Sequence, residues 1–320
     1  MVILFYALYC CTLINCFITN KFFNYYIMYI SDFIYHKPST LKEALGLMKV
    51  NEDVAILAGG TDLLVEIKKG LRHHKNLISI VDIDELRFVK EENNEIIIGA
   101  GMTHNDIIKT SLITQKLPAL ADALSKVGSE QVRNAGTIGG NLCTGASCCD
   151  SAPLLIALHA KVEILSTTGP RIVPLKDFFV FNKKTKLEKG EILTKVIVPI
   201  PVSGTGLHYE KFGLREAAAV SVVSVAVMVL IENNICMKAR VVIGAVAPIP
   251  KISEKSTAII VGKNVSQLTL PSDILDLAGE AAADDSIPID DIRGGAKYRK
   301  QILSVLTKRA IEKAVASVKN

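Results

Sequence analysis

The chain carries VRNAGTIGGNLCTGASCCDSAP at residues 132–153, a stretch rich in glycine and in small polar side chains. Three glycines fall within the five positions 136–140. Glycine lets the backbone turn sharply and leaves consecutive N–H groups free to point at an anion. Asp150 follows at the start of a predicted helix, where its carboxylate could cap the helix or hold the sugar hydroxyls of a nucleotide. The stretch therefore predicts an anion-binding loop that leads into a helix.

A second glycine-rich stretch, AGGTDLL at residues 58–64, directly follows the predicted strand Val54–Leu57. Taken alone it fits a tight turn as well as a phosphate site, although Thr61 adds a hydroxyl donor. Two separate glycine loops in one domain suit a ligand with two phosphates. Neither loop is a P-loop, because no GxxxxGK followed by Ser or Thr occurs in the chain. Gly99-x-Gly101-x-x-His104 has histidine where a Rossmann fingerprint has its third glycine, so a Rossmann site is rejected there.

Short β-branched runs alternate with amphipathic segments from residue 31 onward, which indicates α+β or α/β layers. Residues 199–206 are rich in proline and glycine and predict a domain boundary. Beyond them, the valine-rich residues 217–231 turn at Asn233-Asn234 into residues 241–247, which predicts a hairpin. An apolar stripe over residues 297–318 predicts a final helix.

Composition excludes several classes of protein. The chain has 320 residues, a formal net charge of +5 and 49% hydrophobic residues, which fits a globular protein of about two domains. Its lysines and arginines are scattered, so no nucleic-acid partner is predicted. Seven cysteines are too few and too irregularly spaced for a disulfide framework or a metal site. No residue stands out as an acid, base or nucleophile, and His104 is typical of a helix start or a surface. We therefore predict neither a catalytic residue nor a metal.

The first 27 residues differ from the rest. Nine of the 18 Phe and Tyr residues lie within positions 1–30, where Lys21 is the only charged residue. Residues 2–20 could reach across a bilayer core, which needs about 20 residues. No charge precedes this run, and residues 16–20 make a poor cleavage site for a signal peptide. Three interpretations remain: an extension outside the fold with Met28 as the start, a membrane anchor, or a signal peptide. We favour the first, which argues against membrane attachment.

Both glycine stretches resemble those of the FAD-binding subunit of molybdenum hydroxylases. This family includes the medium subunits of carbon monoxide, xanthine and nicotinate dehydrogenases. The resemblance extends over residues 28–320 and includes Tyr209-Glu210-Lys211 and DIRGGAKYR at residues 291–299. It implies an α+β fold: a two-subdomain FAD-binding domain of the vanillyl-alcohol oxidase (PCMH) type over residues 28–203, then a smaller α+β C-terminal domain over residues 204–320. Residues 1–27 then form an apolar extension outside the fold.

The resemblance also implies which residues contact FAD, the expected cofactor. The loop at residues 58–64 and residues 137–141 would cradle the pyrophosphate. Thr144 and Asp150 would contact the ribose or ribityl region, while Leu193 would line the flavin site and Lys211 would reach the flavin ring or its edge. Ser147-Cys148-Cys149 departs from the serine and small residues usual there. Arg293 and Arg299 are expected to be structural or interfacial. The implied pyrophosphate contacts are Leu57, Ala58, Gly59, Gly60, Thr61, Asp62, Leu63, Thr137, Gly139, Gly140 and Asn141.

In such complexes, substrate is oxidised at a molybdopterin-binding large subunit. Electrons then pass through [2Fe–2S] clusters on a small subunit to FAD, and from FAD to NAD or another acceptor. The resemblance implies this electron-transfer role for the chain, in the cytoplasm, with the substrate chosen by the large subunit. Two alternatives stay open. One is a stand-alone FAD-dependent reductase of the same fold, and the other is a flavin-binding protein anchored to a membrane by residues 1–27.

Overall fold

The computed structural model describes residues 32–318. The predictions made for residues 1–27 and for a start at Met28 therefore lie outside the described residues. Within residues 32–318, no helix combines the length and the apolar character that crossing a bilayer requires.

The N-terminal part contains two main sheets. A parallel sheet has the strand order β1-β3-β2, and an antiparallel sheet has the order β4-β5-β10-β6-β7, while β8 and β9 form a separate pair. Because β10 lies between β5 and β6, the chain returns to the centre of the larger sheet just before it leaves this part. The strands are β1 (Ile34–His36), β2 (Val54–Leu57), β3 (Asn76–Ser79), β4 (Val89–Glu92), β5 (Glu95–Gly99), β6 (Lys161–Ser166), β7 (Gly169–Pro174), β8 (Phe179–Phe181), β9 (Lys184–Thr185) and β10 (Ile192–Pro199).

Short helices connect and cover these sheets. Hydroxyl side chains cap two that matter for the site: Thr103 accepts a hydrogen bond from the Asp106 N–H, and Thr137 accepts one from the Gly140 N–H. The helices are α1 (Leu41–Val50), α2 (Leu63–Lys68), α3 (His104–Lys109), α4 (Ser111–Lys116), α5 (Pro118–Ser125), α6 (Glu130–Ala135), α7 (Ile138–Thr144), α8 (Ser151–Ala157) and α9 (Leu175–Phe178), and a 3₁₀ turn spans Asp84–Leu86.

The C-terminal part is a four-stranded antiparallel sheet covered by three helices. The predicted hairpin is confirmed, because β12 and β13 pair across Asn233-Asn234, whose positive φ angles suit a tight hairpin turn. The second strand begins earlier than predicted, since residues 235–240 also pair with the first strand. The predicted final helix is confirmed as α12. The elements are β11 (Thr205–Gly213), β12 (Ser221–Glu232), β13 (Ile235–Gly244), β14 (Lys251–Ile252), α10 (Glu254–Ile260), α11 (Asp273–Asp285) and α12 (Ala296–Ala316), with a 3₁₀ turn at Val265–Leu268.

The hydrophobic interior is continuous between the two parts. The main core of the N-terminal part also includes Tyr209, Ala226 and Val242 from the C-terminal sheet, and a second core lies between that sheet and its helices. The two-part α+β architecture predicted from the sequence is confirmed. The boundary between residues 203 and 204 falls in the connection from β10 to β11 and stays a prediction.

Candidate functional site

A cleft of about 500 Å³ runs between the two glycine loops and reaches the connection between β11 and β12 at residues 218–220. Pockets of this size are typical of small-molecule and cofactor sites. Most of the predicted contact residues line it, whereas Leu57, Gly139 and Lys211 do not. The predicted residues that line the cleft are Ala58, Gly59, Gly60, Thr61, Asp62, Leu63, Thr137, Gly140, Asn141, Thr144, Asp150 and Leu193.

The two glycine loops touch each other through their backbones. A Cβ atom at Gly59 would overlap with the carbonyl group of Ala135, so only glycine permits this approach. Gly60 has a φ of +69°, a left-handed conformation that glycine adopts without strain. The sequence pattern therefore reflects a real close approach at one wall of the cleft.

The first loop supplies backbone donors. Among the described residues, no acceptor lies within hydrogen-bond reach of the N–H groups of Gly60, Thr61 and Asp62, all of which line the cleft. Consecutive free N–H groups form a concave positive site that suits the oxygens of a phosphate. This part of the sequence expectation agrees with the geometry.

The second loop uses several of its N–H groups inside the chain. The N–H of Ile138 donates to Met102 O at 3.0 Å and that of Gly139 donates to Ala100 O at 3.0 Å, because the loop pairs with the chain segment before α3. The N–H of Gly140 donates to Thr137 Oγ1 at 3.0 Å as a helix cap. The second loop therefore offers side-chain donors to the cleft rather than backbone donors.

Asn141 is the best-oriented of these side-chain donors. Its Oδ1 accepts hydrogen bonds from Ser151 Oγ at 2.7 Å and from Cys149 Sγ at 3.1 Å. The amide nitrogen, which has no acceptor among the described residues, remains available to a ligand in the cleft. The unusual Cys149 thus helps to orient a cleft side chain.

Thr144 and Leu193 line the other parts of the cleft. The Thr144 hydroxyl lies 3.1 Å from Asp62 Oδ2 and 3.0 Å from Gly140 O, so it links the first loop to α7. Leu193 on β10 is buried and gives the cleft an apolar surface.

Asp150 precedes α8 but does not cap it, because its side chain makes no bond to the helix N–H groups. Instead, Oδ1 accepts hydrogen bonds from the Tyr209 hydroxyl at 2.8 Å and from the Ser221 hydroxyl. Burial, together with the neighbouring Asp150 charge, raises the pKa of Tyr209 well above its usual value, so its hydroxyl stays protonated and donates. Asp150 therefore anchors the C-terminal sheet at the wall of the cleft.

Lys211 lies behind that wall. Its Nζ donates to Asp150 Oδ2 at 2.7 Å, to Lys126 O at 2.7 Å and to Ala219 O at 2.9 Å. An ammonium has three N–H donors, and all three are used here. Leu57 and Gly139 are the other two predicted contacts that do not line the cleft. Leu57 belongs to β2. Gly139 packs closely, because a Cβ at its position would lie 2.6 Å from the Ala100 side chain.

Sequence reasoning missed several residues of the cleft. His104 lines it and is 1% exposed, so a helix start was correct but a surface position was wrong. Burial, reinforced by the charge of Arg133, lowers the pKa of His104 to about 4, which keeps the imidazole neutral at pH 7. Val127, Gly128 and residues 218–220 were also missed, since nothing in their local sequence marks them as close to the loops.

The cysteines at the cleft are free thiols. Burial raises the pKa of Cys143 and of Cys149 to about 12, so both thiols stay protonated. Over residues 32–318, no cluster of His, Cys, Asp or Glu side chains is arranged to hold a metal ion. Both arginines of the C-terminal motif make contacts within the chain. Arg293 forms an ion pair with Asp291, and the Arg299 side chain is buried, with 1% of its surface exposed.

Comparisons with known proteins agree with this geometry. Residues 30–201 match the FAD-binding domain of molybdopterin dehydrogenases, and residues 208–314 match the C-terminal domain of carbon monoxide dehydrogenase flavoproteins. The medium chain of carbon monoxide dehydrogenase from Afipia carboxidovorans is 32% identical over 289 residues, 90% of this chain and 98% of that protein. The xanthine dehydrogenase FAD-binding subunit of Escherichia coli O157:H7 is 30% identical over 88% of this chain and 96% of that protein.

The solved structures show the same relationship. A chain of the carbon monoxide dehydrogenase from Hydrogenophaga pseudoflava superimposes with a TM-score of 0.86 and 32% identity, covering 91% of this chain and 100% of that one. The free N–H groups of the first loop, the oriented Asn141 amide and the dimensions of the cleft fit the dinucleotide FAD. The chain therefore belongs to the family of FAD-binding oxidoreductase subunits found in molybdenum hydroxylases such as carbon monoxide and xanthine dehydrogenases, and its cofactor is FAD.

Proposed function

We propose that the chain is the FAD-carrying electron-transfer subunit of a complex with a molybdopterin-binding large subunit and a [2Fe–2S] small subunit. In that complex it passes electrons from the clusters to NAD or another acceptor. The observation that carries the proposal is the cleft between the glycine loops, where free backbone donors and the Asn141 amide converge. The relatives' roles as medium or FAD-binding chains support the same assignment.

Backbone and side-chain groups of the cleft both contribute to FAD binding in this proposal. The N–H groups of Gly60, Thr61 and Asp62 bind the diphosphate, and the Asn141 amide and the Thr137 hydroxyl add side-chain donors. The close contact of the two loops brings these donors together without side chains in between. Binding therefore rests on donors whose positions are set before the cofactor arrives.

Three predicted contacts act less directly in this proposal. Lys211 holds the Asp150 carboxylate and the Ala219 carbonyl, so it shapes the flavin end of the cleft from behind. Leu57 and Gly139 support the two loops from below, on β2 and in α7 respectively. Leu193 offers an apolar surface to the flavin ring, as predicted from the resemblance.

Four ionisable side chains at the cleft are held neutral or paired within the chain. His104 is neutral, the Cys143 and Cys149 thiols are protonated, and Asp150 is paired with Lys211. Bound FAD supplies the redox chemistry, and the chain orients it and shields it from water. This distribution favours an electron-transfer subunit over a stand-alone reductase, which would need a proton donor for its own substrate.

Isolation from the native source tests the proposal. A tagged full-length chain should carry about one FAD and co-elute with molybdenum and with two irons and two sulfides per cluster. Mixing the reduced complex with NAD, and separately with a quinone, should identify the acceptor from the rate at which the flavin absorbance returns. A chain that carries FAD, never associates with molybdenum or iron–sulfur subunits and turns over a substrate alone would make it a stand-alone reductase.

The proposal includes a cytoplasmic location, in keeping with the free thiols of Cys143, Cys148, Cys149 and Cys236. Cell fractionation tests this part separately. If the FAD-containing chain remains in the membrane fraction after washing, it would instead be a membrane-anchored flavin-binding protein with residues 1–27 as the anchor.

A further inference from the structure

His104 is a buried side chain whose hydrogen-bonding capacity is unused. It begins α3, its ring is 1% exposed, and Nδ1 is buried without a partner. Among the described residues, neither ring nitrogen makes a hydrogen bond. Buried polar groups are almost always paired, so an unpaired imidazole calls for a partner that the chain itself does not provide.

The imidazole lies where the two glycine loops meet. The backbone N–H of His104 donates to Gly136 O at 3.1 Å, and Thr103 forms a β-bridge with Thr137. A Cβ built on Gly136 would lie 3.6 Å from His104 Cδ2 and 3.4 Å from Thr61 Oγ1. His104 therefore lines the cleft beside the donors assigned above to the diphosphate.

The state of the ring determines what it can offer. A neutral imidazole has one N–H donor and one acceptor nitrogen. A proton on the buried Nδ1 would leave an N–H without an acceptor, and buried N–H groups without an acceptor are rare in proteins. The favoured tautomer thus carries its proton on Nε2, as a donor for a ligand in the cleft.

We propose that His104 is a further FAD-binding residue, which donates a hydrogen bond from Nε2 to a phosphate oxygen of the cofactor's diphosphate. This inference rests on the FAD site proposed above. A neutral donor at this point adds to the free N–H groups of the first loop without adding a buried charge.

Three probes separate this role from a structural one: FAD, ADP, which has the diphosphate without a flavin, and riboflavin, which has the flavin without a phosphate. Dissociation constants are measured by calorimetry on the full chain stripped of FAD. His104→Phe should weaken binding of FAD and of ADP about tenfold or more, because it removes a bond to a charged oxygen. Binding of riboflavin should not change, and His104→Gln, which keeps an N–H donor, should recover part of the loss.

His36→Phe is the matched control. His36 is half-buried on β1, its Nε2 bonds to Asn76 Oδ1 at 2.9 Å, and it does not line the cleft. This variant should bind all three probes like the original chain.

The inference is overturned if His104→Phe binds FAD as tightly as the original chain, or if it loses affinity for riboflavin as much as for ADP. If the variant does not fold, the unmodified chain labelled with ¹⁵N-histidine decides the matter. The His104 Nε2 resonance should move on addition of ADP and not of riboflavin, and no movement with ADP would refute the proposal. Failure of the original chain to bind FAD would instead overturn the site. Isolation from the native source that never yields molybdenum or iron–sulfur subunits would overturn only the proposed complex.

Discussion

The Nζ atom of Lys211 lies 2.7 Å from Oδ2 of Asp150, and this ion pair joins the C-terminal sheet to the wall of the cleft proposed to hold FAD. Both side chains are nearly buried, with 9% and 7% of their surfaces exposed. The other carboxylate oxygen is held by Tyr209 and Ser221, which also belong to the C-terminal part. The shape of the cofactor cleft therefore depends on a domain that contributes few residues to its lining.

Replacing Lys211 tests how much that ion pair contributes to the free energy of unfolding. Lys211→Met should lower the free energy of unfolding by about 3–5 kcal/mol, because it leaves the buried Asp150 carboxylate without its cation. Urea unfolding followed by circular dichroism measures the change. Lys90→Met is the control, since the Lys90–Glu92 pair is about half exposed and water screens its contribution to stability. Equal losses in the two variants would show that the Lys211 pair has no special role.

Gly59 should tolerate no side chain. Gly59→Ala places a methyl group against the Ala135 carbonyl and pushes the two glycine loops apart, so bound FAD should be lost from the purified protein. Gly46→Ala in α1 is the matched control, because no atom lies within 4 Å of its Cβ position. That change should keep FAD and raise stability by about 0.5–1 kcal/mol, as alanine favours a helix over glycine. The ratio of absorbance at 450 nm to that at 280 nm reports FAD, and full retention in Gly59→Ala would contradict the loop contact.

Ser151 should affect FAD binding through Asn141. Ser151→Ala removes the 2.7 Å bond that orients the Asn141 amide, so FAD affinity should fall about three- to tenfold, the equivalent of one neutral hydrogen bond. Ser256→Ala is the control, because the Ser256 hydroxyl is buried in the C-terminal part and has no hydrogen-bond partner among the described residues. Fluorescence titration measures both variants. Equal affinities would mean that the Asn141 amide does not contact the cofactor.

Glu210 should make stability depend on pH. The hydrogen bond from His208 at 2.7 Å, followed by that from Lys313 at 2.9 Å, lowers the pKa of Glu210 to about 2 from an ordinary value of 4.5. A lowered pKa stabilises the folded protein above the unfolded value, and this contribution is lost as the pH falls from about 4.5 towards 2.

Glu210→Gln should therefore reduce the free energy of unfolding at pH 7 by about 1 kcal/mol, a modest amount because water screens this partly exposed group. The difference from the original chain should shrink as the pH falls below 4.5, the ordinary value of the Glu210 pKa. Urea midpoints from pH 7 to pH 3 measure it, with Glu232→Gln as the control, because Glu232 is exposed and has no ion pair among the described residues. A difference that does not vary with pH would contradict the assignment.

Local sequence was sufficient wherever the structure depends on neighbouring residues. Three features could be predicted from neighbouring residues, because each depends on local backbone conformation or on one face of a helix. They are the glycines of both loops, the turn at Asn233-Asn234 and the apolar stripe of the last helix. The two glycine loops and the C-terminal motif also carried the family resemblance. Through that resemblance, these stretches gave the fold, the cofactor and most of the predicted contacts that line the cleft.

Only the tertiary structure shows which hydrogen-bond donors and charged groups are already paired within the chain and which remain available to a ligand. Asp150 reads as a helix cap or a sugar contact, yet its partners Tyr209 and Lys211 lie 59 and 61 residues away in the chain. The N–H groups of Gly139 and Ile138 in the second glycine loop bond to residues 100 and 102. From the sequence, His104 fits a helix start or a surface position, and it begins a helix but is buried beside Gly136. The sequence by itself determined where the backbone can approach a phosphate, because that depends on the conformational freedom of a few adjacent glycines. Only the packed structure determined which polar groups remain unsatisfied there, because that depends on partners brought together from distant parts of the chain.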